Sequence, residues 1–162
     1  MDLLKIWVKA PQLHNADIVI FGECVEFVNS EIFEKLSKSR IALTYCPEAE
    51  GSPPYGKLAS IIRSSRPKSI WIVTIDGSPH CLTLHAALNE ALYILNEDIE
   101  REHYVLVDGR NLVKISPDTV RIARYLHVVD DLLRKNPEVL SELMNHSLEY
   151  KYYCGRFKPK LD

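Results

Sequence analysis

Three cysteines in this chain each stand just beyond a short apolar, β-branched run. Cys24 follows DIVIF (17–21) and a Gly22-Glu23 pair, Cys46 directly follows RIALTY (40–45), and Cys81 follows IWIVTI (70–75) and the turn DGSPH. Runs of that length and composition read as strands covered on both faces. Taken singly, each thiol would be an ordinary small buried hydrophobe. Parallel strands end at one rim, however, so three thiols at the same end of three neighbouring strands form a candidate shared site. Converging thiolates select zinc or an iron–sulfur cluster, and His80, beside Cys81, is the expected further ligand, with His85 or Cys154 as alternatives. The expected metal set is therefore Cys24, Cys46, Cys81 and His80.

A thiol can also act as a nucleophile. Cys81 falls in the first turn of the helix that follows its strand, where free N–H groups and the helix dipole favour a thiolate, and His80 could serve as its base. Cys24 is the second candidate nucleophile. Other chemistries lack their signatures: the chain contains no CxxC, no Cys-x5-Arg loop, no GxSxG elbow, no GxGxxG and no P-loop. Glu23, Glu48, Glu50 and Asp76 would make the rim acidic, a pattern that usually means solvated surface.

The stretch Ser69 to Leu95 positions these groups. Its strand breaks at Asp76-Gly77-Ser78-Pro79, and Leu84, Leu88, Ala91, Leu92 and Leu95 then recur on one helical face. Upstream, Val28, Ile32, Phe33 and Leu36 predict a helix over 24–38, with Asn29 or Ser30 able to cap its amino end. Pro47 to Gly56 reads as an exposed loop. Leu58, Ile61 and Ile62 make a short helix that ends before Pro67. Downstream, HYVLV (103–107) and LVKI (112–115) fold back around Asp108-Gly109, and Ser116-Pro117-Asp118 opens a helix carrying Ile122, Leu126, Val129 and Leu133. Asn136-Pro137 restarts a short helix. LLKIWV (3–8) is either an edge strand or a packed segment.

Strands alternating with helices imply a three-layer α/β sandwich with a mostly parallel sheet in the order 2-1-3-4 plus an antiparallel edge strand. The switch point then lies between strands 1 and 3, so that Cys24 and Cys81 face one crevice and Cys46 stands one strand away. Residues 1–147 are expected to form a single domain. A tail over 148–162 interleaves Tyr150, Tyr152, Tyr153 and Phe157 with Lys151, Arg156, Lys158 and Lys160. Such interleaving can bind single-stranded nucleic acid, but a tail that pins its aromatics and solvates its charges is the simpler reading.

With 46% hydrophobic and 26% charged residues and a net charge of −2, the chain has no electrostatic footprint for nucleic acid or an anionic membrane. Its first residues lack the apolar core of a signal peptide, and no apolar run is long enough to span a bilayer. A cytoplasmic location follows as an expectation, and four cysteines there are more readily thiols or ligands than disulfides. The partner expected of a metal or cluster protein is a redox protein. A non-catalytic interaction module, its cysteines idle, is the third reading.

The segments ECVEFVNSEIFEKLSK (23–38), IALTYCPE (41–48) and IWIVTIDGSPHC (70–81) resemble the domain that follows the 4Fe-4S motif in small ferredoxin-like iron–sulfur proteins of anaerobes. That family pairs an acidic residue with a cysteine near a phenylalanine, places Cys-Pro after the next strand and ends the third strand on Pro-Cys-Cys. The resemblance spans about Asp17 to Leu95 and implies an accessory cysteine site on Cys24, Cys46 and Cys81. Two departures limit it. The ferredoxin cysteine run is absent, and Pro79-His80-Cys81 has a histidine where the family has the first of two cysteines.

Overall fold

Asp17–Gly22 (β1), Ile41–Tyr45 (β2), Ser69–Ile75 (β3), Glu100–Val107 (β4) and Asn111–Ile115 (β5) form a sheet in the order β2-β1-β3-β4-β5. Neighbouring strands are parallel except for the β4–β5 hairpin, which is antiparallel. This is the α/β arrangement implied by the strand–helix alternation, with β1 and β3 adjacent at its centre. The structure, a computed structural model, describes residues 1–157.

The period of two along each strand sorts its side chains between two cores. Ile18, Ile20, Leu43, Ile70 and Ile72 pack with Leu58, Ile61 and Ile62 of the helix Tyr55–Ser65 (α4) and with Leu84, Ala87 and Leu88 of the long helix Pro79–Leu95 (α5). The alternate residues Val19, Phe21 and Val73 face Val25, Ile32, Phe33 and Leu36. The amino-terminal segment packs Leu3 and Ile6 into the first core and touches β2 through one Asp2–Thr44 bridge, so it is a packed segment and not a further strand.

Three local expectations need correction. The helix expected over 24–38 is two helices, Cys24–Val28 (α1) and Ser30–Ser37 (α2), broken at Asn29. Asn29 leaves helical geometry at φ −150°, and its Oδ1 accepts the Ile32 N–H at 3.1 Å while its Nδ2 donates to the Gly109 carbonyl at 3.2 Å. A short amide side chain that satisfies backbone groups locally competes with continued helix. The loop expected over 47–56 contains a short helix, Pro47–Glu50 (α3), opened by proline at its first position and closed by Gly51 at φ 71°. The helix expected through 116–133 is interrupted between Pro117–Ile122 (α6) and Leu126–Lys135 (α7), a break that no glycine or proline marks.

The chain forms two compact units, Met1–Arg121 and Ile122–Asp162. The sheet and the helices on its two faces belong to the first. The second contains α7, Val139–His146 (α8) and Leu148–Phe157 (α9). Asn136 closes α7, its Nδ2 donating to the Leu132 carbonyl at 2.9 Å, and Ser147 Oγ accepts the Tyr150 N–H at 3.0 Å at the start of α9. The segment read as a tail is thus helical as far as Phe157, with the Tyr150 and Tyr153 rings stacked at 6.4 Å. Lys158 and Lys160 lie outside the described residues. Among the described residues, no helix is long and apolar enough to cross a membrane.

Candidate functional site

At the carboxyl edge of β2-β1-β3, each strand leads into a cysteine. Cys46 directly follows β2 and precedes Pro47 of α3, Cys24 opens α1 just beyond β1, and Cys81 lies in the first turn of α5 beyond β3. Ser78 caps α5, its Oγ accepting the Cys81 N–H at 3.3 Å, which sets the thiol in the first turn. Gly22 at the end of β1 leaves room for this approach. A Cβ there would stand 3.6 Å from Cys81 Sγ and 3.7 Å from Thr74 Cα, so the sulfur of α5 lies over the bare backbone of β1 beside Thr74 near the end of β3.

Cys46 and Cys81 both act on the Cys24 thiol. The Cys24 thiol is pushed above the ordinary range, first by partial burial and then by Cys46 and Cys81, with Glu23 and Glu48 acting in the same direction. His80 joins the same neighbourhood: its Nδ1 stands 3.7 Å from Glu48 Oε2 of α3, an ion-pair separation when the imidazole is protonated. Cys24, Cys46 and Cys81 are all free thiols. Among the described residues, however, no three His, Cys, Asp or Glu side chains form a group that could hold a metal ion as they stand. Cys154, offered as an alternative ligand, belongs to α9 of the second unit, where it hydrogen-bonds with Tyr150.

Residues 10–159 match the family described as a Rossmann-like domain. The chain belongs to that family. No curated protein and no solved structure matches it. The match establishes the fold side of the expected relationship and carries no iron–sulfur relationship. In a Rossmann-like sheet, ligands bind beyond the carboxyl ends at the point where strand order reverses. Here that point lies between β1 and β3, where Cys81 Sγ approaches Gly22 and Cys24 opens α1 just beyond β1. The sequence after β1 is Gly22-Glu23-Cys24, with a thiol and a carboxylate where a dinucleotide-binding member has its glycine-rich turn.

His85 does not join the thiols. It is 2% exposed, its Nε2 lies 2.8 Å from Thr74 Oγ1, and its Nδ1 lies 3.0 Å from Nδ1 of the fully buried His103. Both ring nitrogens are occupied, which leaves none for a metal. The chain continues from His103 Nε2 to Asn89 Oδ1 at 3.3 Å, and the same oxygen accepts the Arg101 Nε–H at 2.9 Å. Burial lowers the His85 pKa to about 4, and burial together with His85, Arg101 and Arg121 lowers that of His103 to about 3. Both rings are therefore neutral at pH 7, and their tautomers follow from the partners. Arg101 can only donate, so it fixes Asn89 Oδ1 toward itself, while Asn89 Nδ2 donates to the Pro117 carbonyl at 3.3 Å. His103 Nε2 must then carry a hydrogen, its Nδ1 accepts from His85 Nδ1–H, and His85 Nε2 accepts from the Thr74 hydroxyl.

The sequence reading missed Thr74, Asn89, Arg101 and His103. A signal existed on α5, where Cys81, His85 and Asn89 recur every four residues and draw a polar stripe down an otherwise apolar helix face. The strand residues carried no comparable mark, because a polar residue in a short strand is as readily solvent-facing as buried.

Proposed function

We propose that the carboxyl rim of this Rossmann-like domain is a thiol site for a soft metal, zinc or an iron–sulfur cluster, held by Cys24, Cys46 and Cys81 with His80, and that it serves electron transfer or metal handling. The observation that carries this reading is the adjacency of β2, β1 and β3, each of which leads into a cysteine at the same edge. Loading would require the thiols to turn toward a common centre and lose their protons, since a thiolate and not a thiol is the ligand. Glu48 beside His80 Nδ1 suits the familiar carboxylate–histidine pairing, in which the carboxylate orients the ring and leaves Nε2 for the metal. A redox partner protein is the expected partner of a loaded site, and a cytoplasmic setting keeps the thiols reduced.

The test is anaerobic preparation of the full chain with metal analysis and an absorption spectrum. Bound zinc or iron that disappears in the Cys24→Ser/Cys81→Ser double variant supports the reading. Metal-free protein after anaerobic loading, or metal content unchanged in that variant, overturns it.

The position of Cys81 at the start of a 17-residue helix favours a second reading, a thiol enzyme with Cys81 as nucleophile and His80 as base. Cys24 is the weaker nucleophile of the two, because its thiol is held protonated by burial and by its neighbours. Metal-free protein whose Cys81 alkylates rapidly at neutral pH would select this reading.

A further inference from the structure

The amino-terminal edge of the sheet carries a pocket of about 310 Å³ whose polar walls include Asn89, Asn96, Asp98, Arg101 and Arg121. It lies at the opposite end of β3 and β4 from the thiols: Arg101 pairs with Ile70 near the start of β3, and Asn96 caps the carboxyl end of α5. We infer that this pocket is an oxyanion site, in which the guanidinium fork of Arg101, held from behind by Asn89 and assisted by Arg121, binds the carboxylate or phosphate group of a small metabolite.

Arg101 is half-buried, and its Nε is spent on Asn89 Oδ1. Among the described residues, no hydrogen bond or ion pair engages its terminal Nη groups. The other charges around the pocket are largely satisfied: Arg63 meets Glu97 at 3.0 Å, and Arg121 meets Asp118 at 2.6 Å. Asp98 is within electrostatic reach of Arg101 but forms no ion pair with it among the described residues. Two guanidinium groups thus line one pocket, and an anion bound between them would offset the mutual repulsion that Asp98 and Asp118 also oppose. Planar bidentate recognition of carboxylate or phosphate is what a guanidinium does best.

The buried histidines explain why the fork is already in place. Asn89 is locked by three partners, Arg101, His103 and the Pro117 carbonyl, and His103 is locked in turn by His85 and Thr74. The network fixes which way the Asn89 amide points, so Arg101 is clamped at Nε and presents both Nη groups before a ligand arrives. Preorganisation of this kind lowers the ordering cost of binding. A volume of about 310 Å³ is at the small end of the range for metabolite pockets. Asp98 and the Asn96 amide would favour a ligand that also carries a hydroxyl or amino group. The inference is independent of the thiol rim and does not rest on it.

The experiment titrates the full chain with sodium phosphate and, separately, with sodium succinate, each against sodium chloride at matched ionic strength, by calorimetry and by the Nε–Hε signals of ¹⁵N-labelled arginine. The expected result is saturable binding of at least one oxyanion, a shift of the Arg101 signal, and affinity reduced about tenfold or more in Arg101→Lys, which keeps the charge and loses the fork. Phosphate binding alone would assign the site to phosphorylated ligands and succinate binding alone to carboxylates. Arg121→Gln, at an exposed position outside the clamp, should also weaken binding and covers the case in which Arg101→Lys fails to fold. Absence of saturable binding in folded wild-type protein, shifts equal to those with chloride, or affinity unchanged in either folded variant overturns the inference.

Discussion

His85 and His103 face each other Nδ1 to Nδ1 at 3.0 Å in the buried interior between α5 and β4, so exactly one of these two nitrogens must carry the hydrogen. A second proton on the pair would put two donors face to face. Charged groups that do reach His103, Arg101 and Arg121, are both cations and oppose protonation further.

That arrangement makes stability depend on pH in a defined window. Each histidine has a folded pKa, about 4 for His85 and about 3 for His103, below the ordinary value of 6.5, so the unfolded chain binds protons first as pH falls. The stabilisation is complete above pH 6.5 and is lost as pH falls from there toward the folded values. Between pH 7 and 5 the loss should be on the order of 2 kcal/mol for each group. Urea denaturation at the two pH values should show the lower midpoint at pH 5. His85→Gln, which can still donate and accept but does not titrate, should flatten the difference; an unchanged pH dependence would mean that the histidine is accessible to protons when folded.

Gly109 turns the β4–β5 hairpin at φ 69°, and a Cβ there would lie 2.8 Å from Val28 Cγ1. Gly109→Ala should therefore be destabilising by about 1–3 kcal/mol through positive-φ strain and the clash together. Adding Val28→Ala should recover only the part due to the clash. Thermal melts of the single and double variants separate the two contributions.

Asn29 ties the α1–α2 corner to that hairpin through its cap on Ile32 and its bond to Gly109. Asn29→Ala should cost about 1–2 kcal/mol, and Asn29→Asp, which keeps the cap and loses the donor, should fall between it and the wild type. Equal stability for the alanine and aspartate variants would show that the cap contributes nothing.

Cys24 is an exposed residue with a raised thiol pKa, so exposure alone is a poor guide to its reactivity. Its alkylation rate by iodoacetamide at pH 7.5 should be lower than that of an unperturbed thiol. Replacing Cys46 or Cys81 by serine should raise the rate modestly, since burial, the larger cause, remains. No change in either variant would mean that the rim thiols are too far apart to act together.

The succession of apolar runs and amphipathic stretches is sufficient to read the β2-β1-β3-β4-β5 sheet, the position of Cys24, Cys46 and Cys81 just beyond strand ends, and the place of Cys81 in the first turn of α5. Those features follow from local periodicity, turn residues and the handedness of β-α-β crossovers, all of which act over short stretches of chain. The break at Asn29 was partly visible, since asparagine was recognised as a cap, but its bond to Gly109, 80 residues away, was not. The same holds for His85, which sequence spacing grouped with Cys81. Its partners Thr74 and His103 come from two different strands, and only the packing of α5 across β3 and β4 decides that its nitrogens are spent inside the protein rather than offered at the rim. Arg101 shows the limit most clearly: nothing in the local sequence distinguishes it from a solvated strand-end arginine, and its role depends on an amide oxygen of α5 and on a pocket wall completed by α6. Such sites arise from contacts between segments distant in sequence, which local patterns of hydrophobicity and turn chemistry do not encode.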